Sequence, residues 1–407
     1  MRLGDDGFFQ LTYCTNIHPA NGWLDVLTNV QCFVPALKAR FAPDRPFGIG
    51  LRLSGDESRE LLDGNSLREF ATYLQQHGLY VFTLNGFPYG PFHRQPVKAD
   101  VHAPDWRYDE RVRYTLRLVE ILAGLLPSDT EGGISTSPLS YKTWVDSDDP
   151  STWQRLVANV VRVAAELVRV RRERDRLIHL DLEPEPDGLL EDGNDAIAFY
   201  TRWLLPVGSP LLADALGLST EDARRALLEH IRVCFDTCHM AVAYQDFPTL
   251  LDRFAATGIQ LGKVQVSSAL RVDFPADGAD RPELVRALHP FAESVYLHQV
   301  GEARRDGSVR QYPDLEAALP AVADPEIAEW RIHFHTPIFV ERYGRFGSTQ
   351  DSIRQTFALL HQRRFCRLLE IETYTWDVLP GDLKRDLVDS IAREYEWVLD
   401  VFAQSRP

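Results

Sequence analysis

Cysteine is scarce in this chain of 407 residues: five in all, an odd number spread widely over the sequence (Cys14, Cys32, Cys234, Cys238 and Cys366). That excludes a disulfide framework as the basis of the fold. No apolar run approaches the length needed to cross a bilayer. The first residues, Met1-Arg2-Leu3-Gly4-Asp5-Asp6, lack the pattern of a secretory signal, so the expected location is cytoplasmic. No long stripe of Lys or Arg occurs and the formal net charge is −15, which argues against a nucleic-acid backbone as partner. The short run Arg171–Arg176 reads as a solvated helix end. The sequence has no phosphate-binding GxxxxGK[ST], no GxGxxG after a strand, no HExxH and no GxSxG. Nucleotide, dinucleotide, zinc-protease and serine-hydrolase chemistry therefore have no motif to rest on.

What is present is a nearly regular alternation of strand-like and helix-like segments. Strands are expected at Phe8–Cys14, Phe47–Leu53, Tyr80–Leu84, Gly133–Ser137, Leu177–Leu182, Arg232–Phe235, Leu261–Val266 and Cys366–Ile371, with amphipathic helices between them and a closing helix at Leu383–Ala403. Eight such units predict a single (β/α)8 barrel over residues 1–407. One stretch breaks the count. Ser294–Val300 and Arg331–Val340 look like further strands separated by the polar run Gly301–Tyr312, so residues 268–347 are expected to be an insertion before the last strand, forming a lid or a hairpin. A long loop holding Asn85-Gly86-Phe87-Pro88-Tyr89-Gly90 follows the third strand, where barrel loops commonly build a substrate pocket.

Three strands deliver a carboxylate at the same end: Glu183, Asp236 and Glu372. Alternation along the fifth strand puts His179, Asp181 and Glu183 on one face, and three inward polar groups are unfavourable unless paired or ligating. Taken alone, Glu183 reads most simply as a loop residue, with Glu185 solvated. Asp236 with His239 is more specific, because a DxxH pair past a strand can turn both side chains to one centre. The plainer alternative is an Asp capping a helix with a His in its first turn. Gln265 ends the seventh strand, where its amide oxygen is a weak ligand for a hard cation. His333 and His335 alternate in a strand-like run, and His298 and His18 stand in other segments that reach the same end. Cys234 and Cys238 flank the motif, and buried apolar roles are favoured for both over thiolate ligation.

The segments Leu182-Glu183-Pro184, Phe235–Met240 and Ile371-Glu372-Thr373 resemble the xylose isomerase-like TIM-barrel superfamily, which includes sugar isomerases and epimerases and the endonuclease IV type. The resemblance implies one divalent metal, held by Glu183, Asp236, a seventh-strand residue and Glu372, with His239 and Arg271 binding substrate. The family's seventh-strand His falls on Gln265 here, so His335, aided by His298 or His18, is expected to replace it. Mn is weakly preferred over Mg, Co or Zn for ligands that are mostly oxygen. Over nearly the full length the chain resembles one subgroup more closely, the metabolite traffic proteins called EboE. That likeness rests on Thr12–Pro19, Leu84–Gly90, Tyr296–Val300, Arg331–His335 and Glu370–Trp376, and it implies a secondary-metabolite precursor as ligand and proteins of the same pathway as partners.

The function implied is metal-dependent isomerisation or epimerisation of a small polar metabolite. Glu183 and Glu372 would flank the reacting carbon, the metal would polarise the adjoining carbonyl, and Asn85, His239 and Arg271 would bind substrate. Two alternatives stand beside it: a non-catalytic metabolite carrier, and a metal-dependent hydrolase on the same site. The oligomeric state is left open.

Overall fold

The β-rich runs pair edge to edge and the helices between them cover the outside, as parallel strands require. The structure is a computed structural model describing residues 1–4, 6–91, 97–275, 281–292, 296–377 and 386–406. Eight parallel strands form a (β/α)8 barrel: β1 Phe9–Tyr13, β2 Phe47–Arg52, β3 Leu79–Asn85, β4 Gly132–Thr136, β5 Ile178–Leu182, β6 Ile231–Asp236, β7 Leu261–Val266 and β8 Leu368–Ile371. Each pairs in parallel with the next from β2 to β8, and β8 pairs in parallel with β1. The seam between β1 and β2 is held by a Cys14–Gly50 bridge and by Thr12, whose Oγ1 accepts from Gly50 N at 2.8 Å and lies 3.1 Å from Gly48 O. At its lower end the short strand Arg2–Leu3 lies antiparallel on β1.

The barrel interior is unusually polar. Lys263 Nζ lies 2.6 Å from Glu370 Oε2, and His179 Nδ1 lies 2.6 Å from Asp181 Oδ1; all four side chains are fully buried. On the inward face expected of β5, His179 and Asp181 are thus paired with each other, though His179 Nε2 and Asp181 Oδ2 have no hydrogen-bond partner. Two glycines make room for these groups. A Cβ at Gly50 would stand 1.9 Å from Glu370 Oε1, and one at Gly262 would stand 1.8 Å from Asp181 Oδ1.

After β7 the chain leaves the barrel. Strands Leu270–Asp273, Val300–Arg304, Val309–Tyr312, Ile327–Ile332, Arg342–Tyr343 and Phe346–Ser348 build a six-stranded antiparallel sheet before the helix Gln350–Arg363 returns the chain to β8. Buried Glu302 ties this sheet together, its Oε2 accepting from Trp330 Nε1 and Tyr312 OH at 3.1 Å each. The polar run Gly301–Tyr312 forms a hairpin, one of the two forms expected of the insertion, turning at Gly307 with φ of 85°. Two sequence expectations are corrected here. The strand expected at Arg331–Val340 ends at Ile332, so His333 and His335 sit in irregular backbone. Of the strand expected at Ser294–Val300, residues 294 and 295 lie outside the described residues and 296–299 form no strand. No helix among the described residues is long and apolar enough to cross a membrane.

The closing helix Leu387–Gln404 buries Glu394, whose Oε1 accepts from Thr373 Oγ1 at 2.7 Å and Ile338 N at 3.3 Å. Burial pushes this carboxyl up to about 8. A carboxyl raised in the folded state binds a proton that the unfolded chain releases near pH ~4.3. Its contribution is therefore complete below about pH 4.3 and is lost as pH rises toward 8, by at most ~1.4 kcal/mol per pH unit. In Glu394→Gln, urea unfolding between pH 5 and 8 should lose that downward slope. An unchanged slope would show that Glu394 is ionised in the fold.

Candidate active site

The carboxylates expected to converge do so. Glu183 follows β5, Asp236 ends β6 and Glu372 follows β8, at the C-terminal mouth where barrel chemistry is placed. One oxygen from each lies within 4.8 Å of the others, and the three side chains are buried. Asp236 both caps and faces the site. Its Oδ1 accepts from His239 N at 2.9 Å, as the cap of the helix Thr237–Val242, and from Ser267 Oγ at 2.7 Å. Its Oδ2 has no hydrogen-bond partner, and neither does Glu183 Oε2. Glu372 is oriented by two amides, Asn16 Nδ2 and Asn85 Nδ2, each 2.8 Å from its Oε1. Asn85 is itself fixed, its Oδ1 accepting from Phe87 N at 3.1 Å.

Three carboxylates this close cannot all stay ionised without compensation. Burial first, then Glu372 and Asp236, pushes Glu183 well above the ordinary carboxylate range. Burial, then Asp236 and Glu370, does the same to Glu372. A divalent cation removes that conflict, and the two unpaired oxygens are the atoms available to it. The residues present fit such an ion.

An imidazole wall faces the carboxylates. His335 Nε2 has no hydrogen-bond partner and lies 3.9 Å from Asp236 Oδ2. Donor atoms of Asp236, His239 and His335 fall within 4.8 Å of one another, as do those of Cys238, His333 and His335. His239, His333 and His335 line a cleft of about 570 Å³, counted with its solvent-open part, together with the carboxylates of Glu183 and Glu372. Its outer collar is mainly apolar, with Phe87, Val97, Val101, Leu297 and Tyr296. Lys98 stands at this rim, its Nζ 2.8 Å from Asp314 Oδ2 of the insertion.

Other expected site residues lie elsewhere. Gln265 is fully buried and pairs in register with Asp236 and Glu370, a level below Glu372. It does not line the cleft, and neither amide atom has a hydrogen-bond partner. His18 packs away from the cleft, its ring stacked on Phe33 at 4.3 Å and its Nε2 3.0 Å from Tyr13 OH. His298 is buried against Phe334, with its Nδ1 3.2 Å from His333 O. Arg271 sits on the inserted sheet among Asp273, Glu329 and Asp351, at 3.6, 3.9 and 4.0 Å. None of these three lines the cleft. Glu185 is buried rather than solvated, 3.0 Å from His102 Nε2. Sequence reasoning passed over Asn16 as a site residue, although it follows β1 at the level where the other strands deliver ligands. It also passed over Gln299, for which no local signal existed.

No known family's sequence profile matches the chain, and no curated protein is significantly similar to it in sequence. Solved structures do match. A xylose isomerase-like TIM-barrel protein from Mycobacterium smegmatis, solved in complex with magnesium, aligns over 100% of both chains at 12% identity with a TM-score of 0.51. The IolI protein, solved with a zinc atom, covers 97% of this chain and 99% of its own at 12% identity and a TM-score of 0.44. The probable 3-DHS dehydratase AsbF of Bacillus anthracis covers 97% and 98% at 11% identity and a TM-score of 0.41. At such identities the first of these supports a TIM barrel as the fold.

Proposed function

We propose that this chain is a metal-dependent enzyme of the isomerase or epimerase kind, moving a proton on the carbon next to a carbonyl of a small polar metabolite. The observation that carries this reading is the convergence of Glu183, Asp236 and Glu372, the first and last of which line the cleft, with Glu183 Oε2 and Asp236 Oδ2 unpaired. These three residues would hold a divalent ion, with His335 as a donor on the Asp236 side in place of the seventh-strand His that Gln265 replaces. Such an ion supplies Lewis-acid polarisation of a substrate carbonyl. The magnesium complex of the M. smegmatis barrel protein supports a divalent ion here, with Mn or Mg suited to the oxygen donors.

The chain's own groups divide the remaining work. Glu183, through the carboxylate oxygen that the ion does not take, would remove a proton from the carbon next to the carbonyl. Glu372, held at Oε1 by Asn16 and Asn85, would carry a proton on its other oxygen and deliver it to the opposite face of that carbon, Glu183 ending protonated and Glu372 ionised. His239 orients substrate oxygens from the wall, and the apolar collar excludes water. Each of the five segments that resemble the EboE metabolite traffic subgroup contributes to the cleft: Asn16, Asn85, Tyr296, His333 and Glu372 in turn. That supports a secondary-metabolite precursor as ligand; a cytoplasmic location is part of the same proposal. The apolar collar also favours a second reading, in which the chain carries such a ligand without turning it over.

The test is hydrogen exchange. Manganese-loaded protein is incubated in D2O with a panel of ketoses and hydroxyketones, and deuterium at the carbon next to the carbonyl is followed by NMR. Incorporation that stops on chelation and in Glu183→Gln supports the enzyme. Saturable binding of a panel member without incorporation would overturn it in favour of the carrier.

A further inference from the structure

The cleft is lined by two kinds of side chain, carried by two kinds of segment. Polar groups reach it at or just past the ends of barrel strands: Asn16, Asn85, Glu183, His239 and Glu372. Apolar groups reach it from the loops. Phe87 and Pro88 follow β3, Val97 and Val101 lie further along the same connection, and Leu297 belongs to the insertion. None of these five side chains carries a hydrogen-bonding group.

The two sets are held in a fixed relation. Asn85 serves both, its Nδ2 donating to Glu372 Oε1 at 2.8 Å and its Oδ1 accepting from Phe87 N at 3.1 Å. The Phe87 ring is buried and packs near the ring of His102, with centroids 5.4 Å apart. Lys98, between Val97 and Val101 in sequence, ties the loop to the insertion, its Nζ 2.8 Å from Asp314 Oδ2. Tyr374 joins the two characters. Its ring centroid is 4.6 Å from that of His335 and 5.1 Å from that of Tyr296.

A ligand that is polar throughout gains nothing from such a collar. A hydroxyl moved there from water loses its hydrogen bonds with no side-chain partner to replace them, whereas hydrocarbon gains by leaving water. An apolar surface rimmed by charged groups is the mark of a ligand groove. The cleft, about 570 Å³ counted with its solvent-open part, is in the size range that encloses drug-sized ligands, which leaves room beyond a small polar head.

We propose that the ligand is amphipathic: a hydroxylated carbonyl head among the polar groups, carrying a hydrocarbon tail that lies against Phe87, Val97, Val101 and Leu297. This deepens the proposed function and rests on it, since the head is the metabolite on which Glu183 and Glu372 act. The head fixes the chemistry, and the tail sets the preference over plain sugars.

The test varies the tail at constant head. Manganese-loaded protein is titrated by calorimetry with hydroxymethyl ketones whose alkyl chain grows from methyl to octyl, and each complex is then followed in D2O for deuterium at the carbon next to the carbonyl. Affinity should rise about fourfold per methylene until the chain passes the rim, and then level off. Alcohols of matching chain length lack the head and should bind at least about tenfold more weakly. Leu297→Asn, at a partly buried position, should weaken the octyl ketone about tenfold and leave the methyl ketone unchanged. Val101→Thr, which keeps the shape of the side chain, should act in the same direction, with unfolding midpoints showing that both variants fold. A slope with no deuterium incorporated would uphold the amphipathic ligand and overturn its turnover. Affinity independent of chain length, with the short ketones bound and exchanging, would overturn the tail and leave the proposed function standing. Alcohols bound as tightly as the matching ketones would overturn the head. Neither binding nor exchange with any ketone would overturn both readings.

Discussion

Lys263→Met should cost about 3–5 kcal/mol of stability, as expected when one partner of a buried ion pair is removed. The ammonium lies 2.6 Å from Glu370 Oε2 in the middle of the barrel, and both side chains have no exposure to solvent. Glu370 Oε1 has no other hydrogen-bond partner, so the substitution leaves a carboxylate buried without compensation. The double substitution Lys263→Met with Glu370→Leu should recover much of the loss, because it is the stranded charge that destabilises rather than the missing attraction. Urea unfolding of the three proteins measures this. A single variant within ~0.5 kcal/mol of the wild type, the scatter of ordinary surface changes, would show that Glu370 is neutral or hydrated in the barrel.

The second large effect is expected at Asp236. Asp236→Asn keeps the shape of the side chain and the cap on the helix Thr237–Val242, since Asn and Asp serve that role about equally. The fold should survive. What is lost is the charge on Oδ2, the unpaired oxygen between the carboxylates and the imidazoles. Changes one shell out from a metal typically cost about 10- to 100-fold in affinity, so divalent-metal affinity should fall by more than about 100-fold. Calorimetric titration with manganese and with zinc reads this directly. Wild-type affinity in the variant would remove Asp236 from any metal centre.

The barrel was legible because its signals are local. The helices Thr220–His230 and Phe247–Thr257 and the strand β7 Leu261–Val266 lie where their residues predict them. Ser219 and Asp246 cap the helices, and Gly258 ends one in the left-handed region. The three carboxylates were legible for a related reason: a residue at the end of a parallel strand is delivered to the mouth whatever the rest of the chain does. The insertion was read less well. Asp306-Gly307 is a hairpin signal, and it turns Val300–Arg304 back onto Val309–Tyr312. His333 and His335 reach the cleft without a strand to carry them; after Ile332 the backbone bonds instead across to Gln299 and Ser268. His18, His298 and Arg271 are placed partly by distant residues, Phe33, Phe334 and Glu329 in turn, so residue type alone could not say whether each faces ligand or core.

The order of strands around the barrel bears on synthesis. β8 pairs with both β7 and β1, and Glu372 follows it directly. Until Leu368–Ile371 has emerged, the growing chain carries two open parallel edges, with Gln10 and Thr12 at one and Lys263 and Gln265 at the other. At about 5–20 residues per second, the stretch from β7 to β8 takes on the order of ten seconds. Lys263 then waits without Glu370, a charge that discourages the edge from pairing with another chain. A ribosome that stops short of β8 releases a protein with neither a closed sheet nor a complete set of carboxylates, so a truncated product is marked for removal by its own exposed edges.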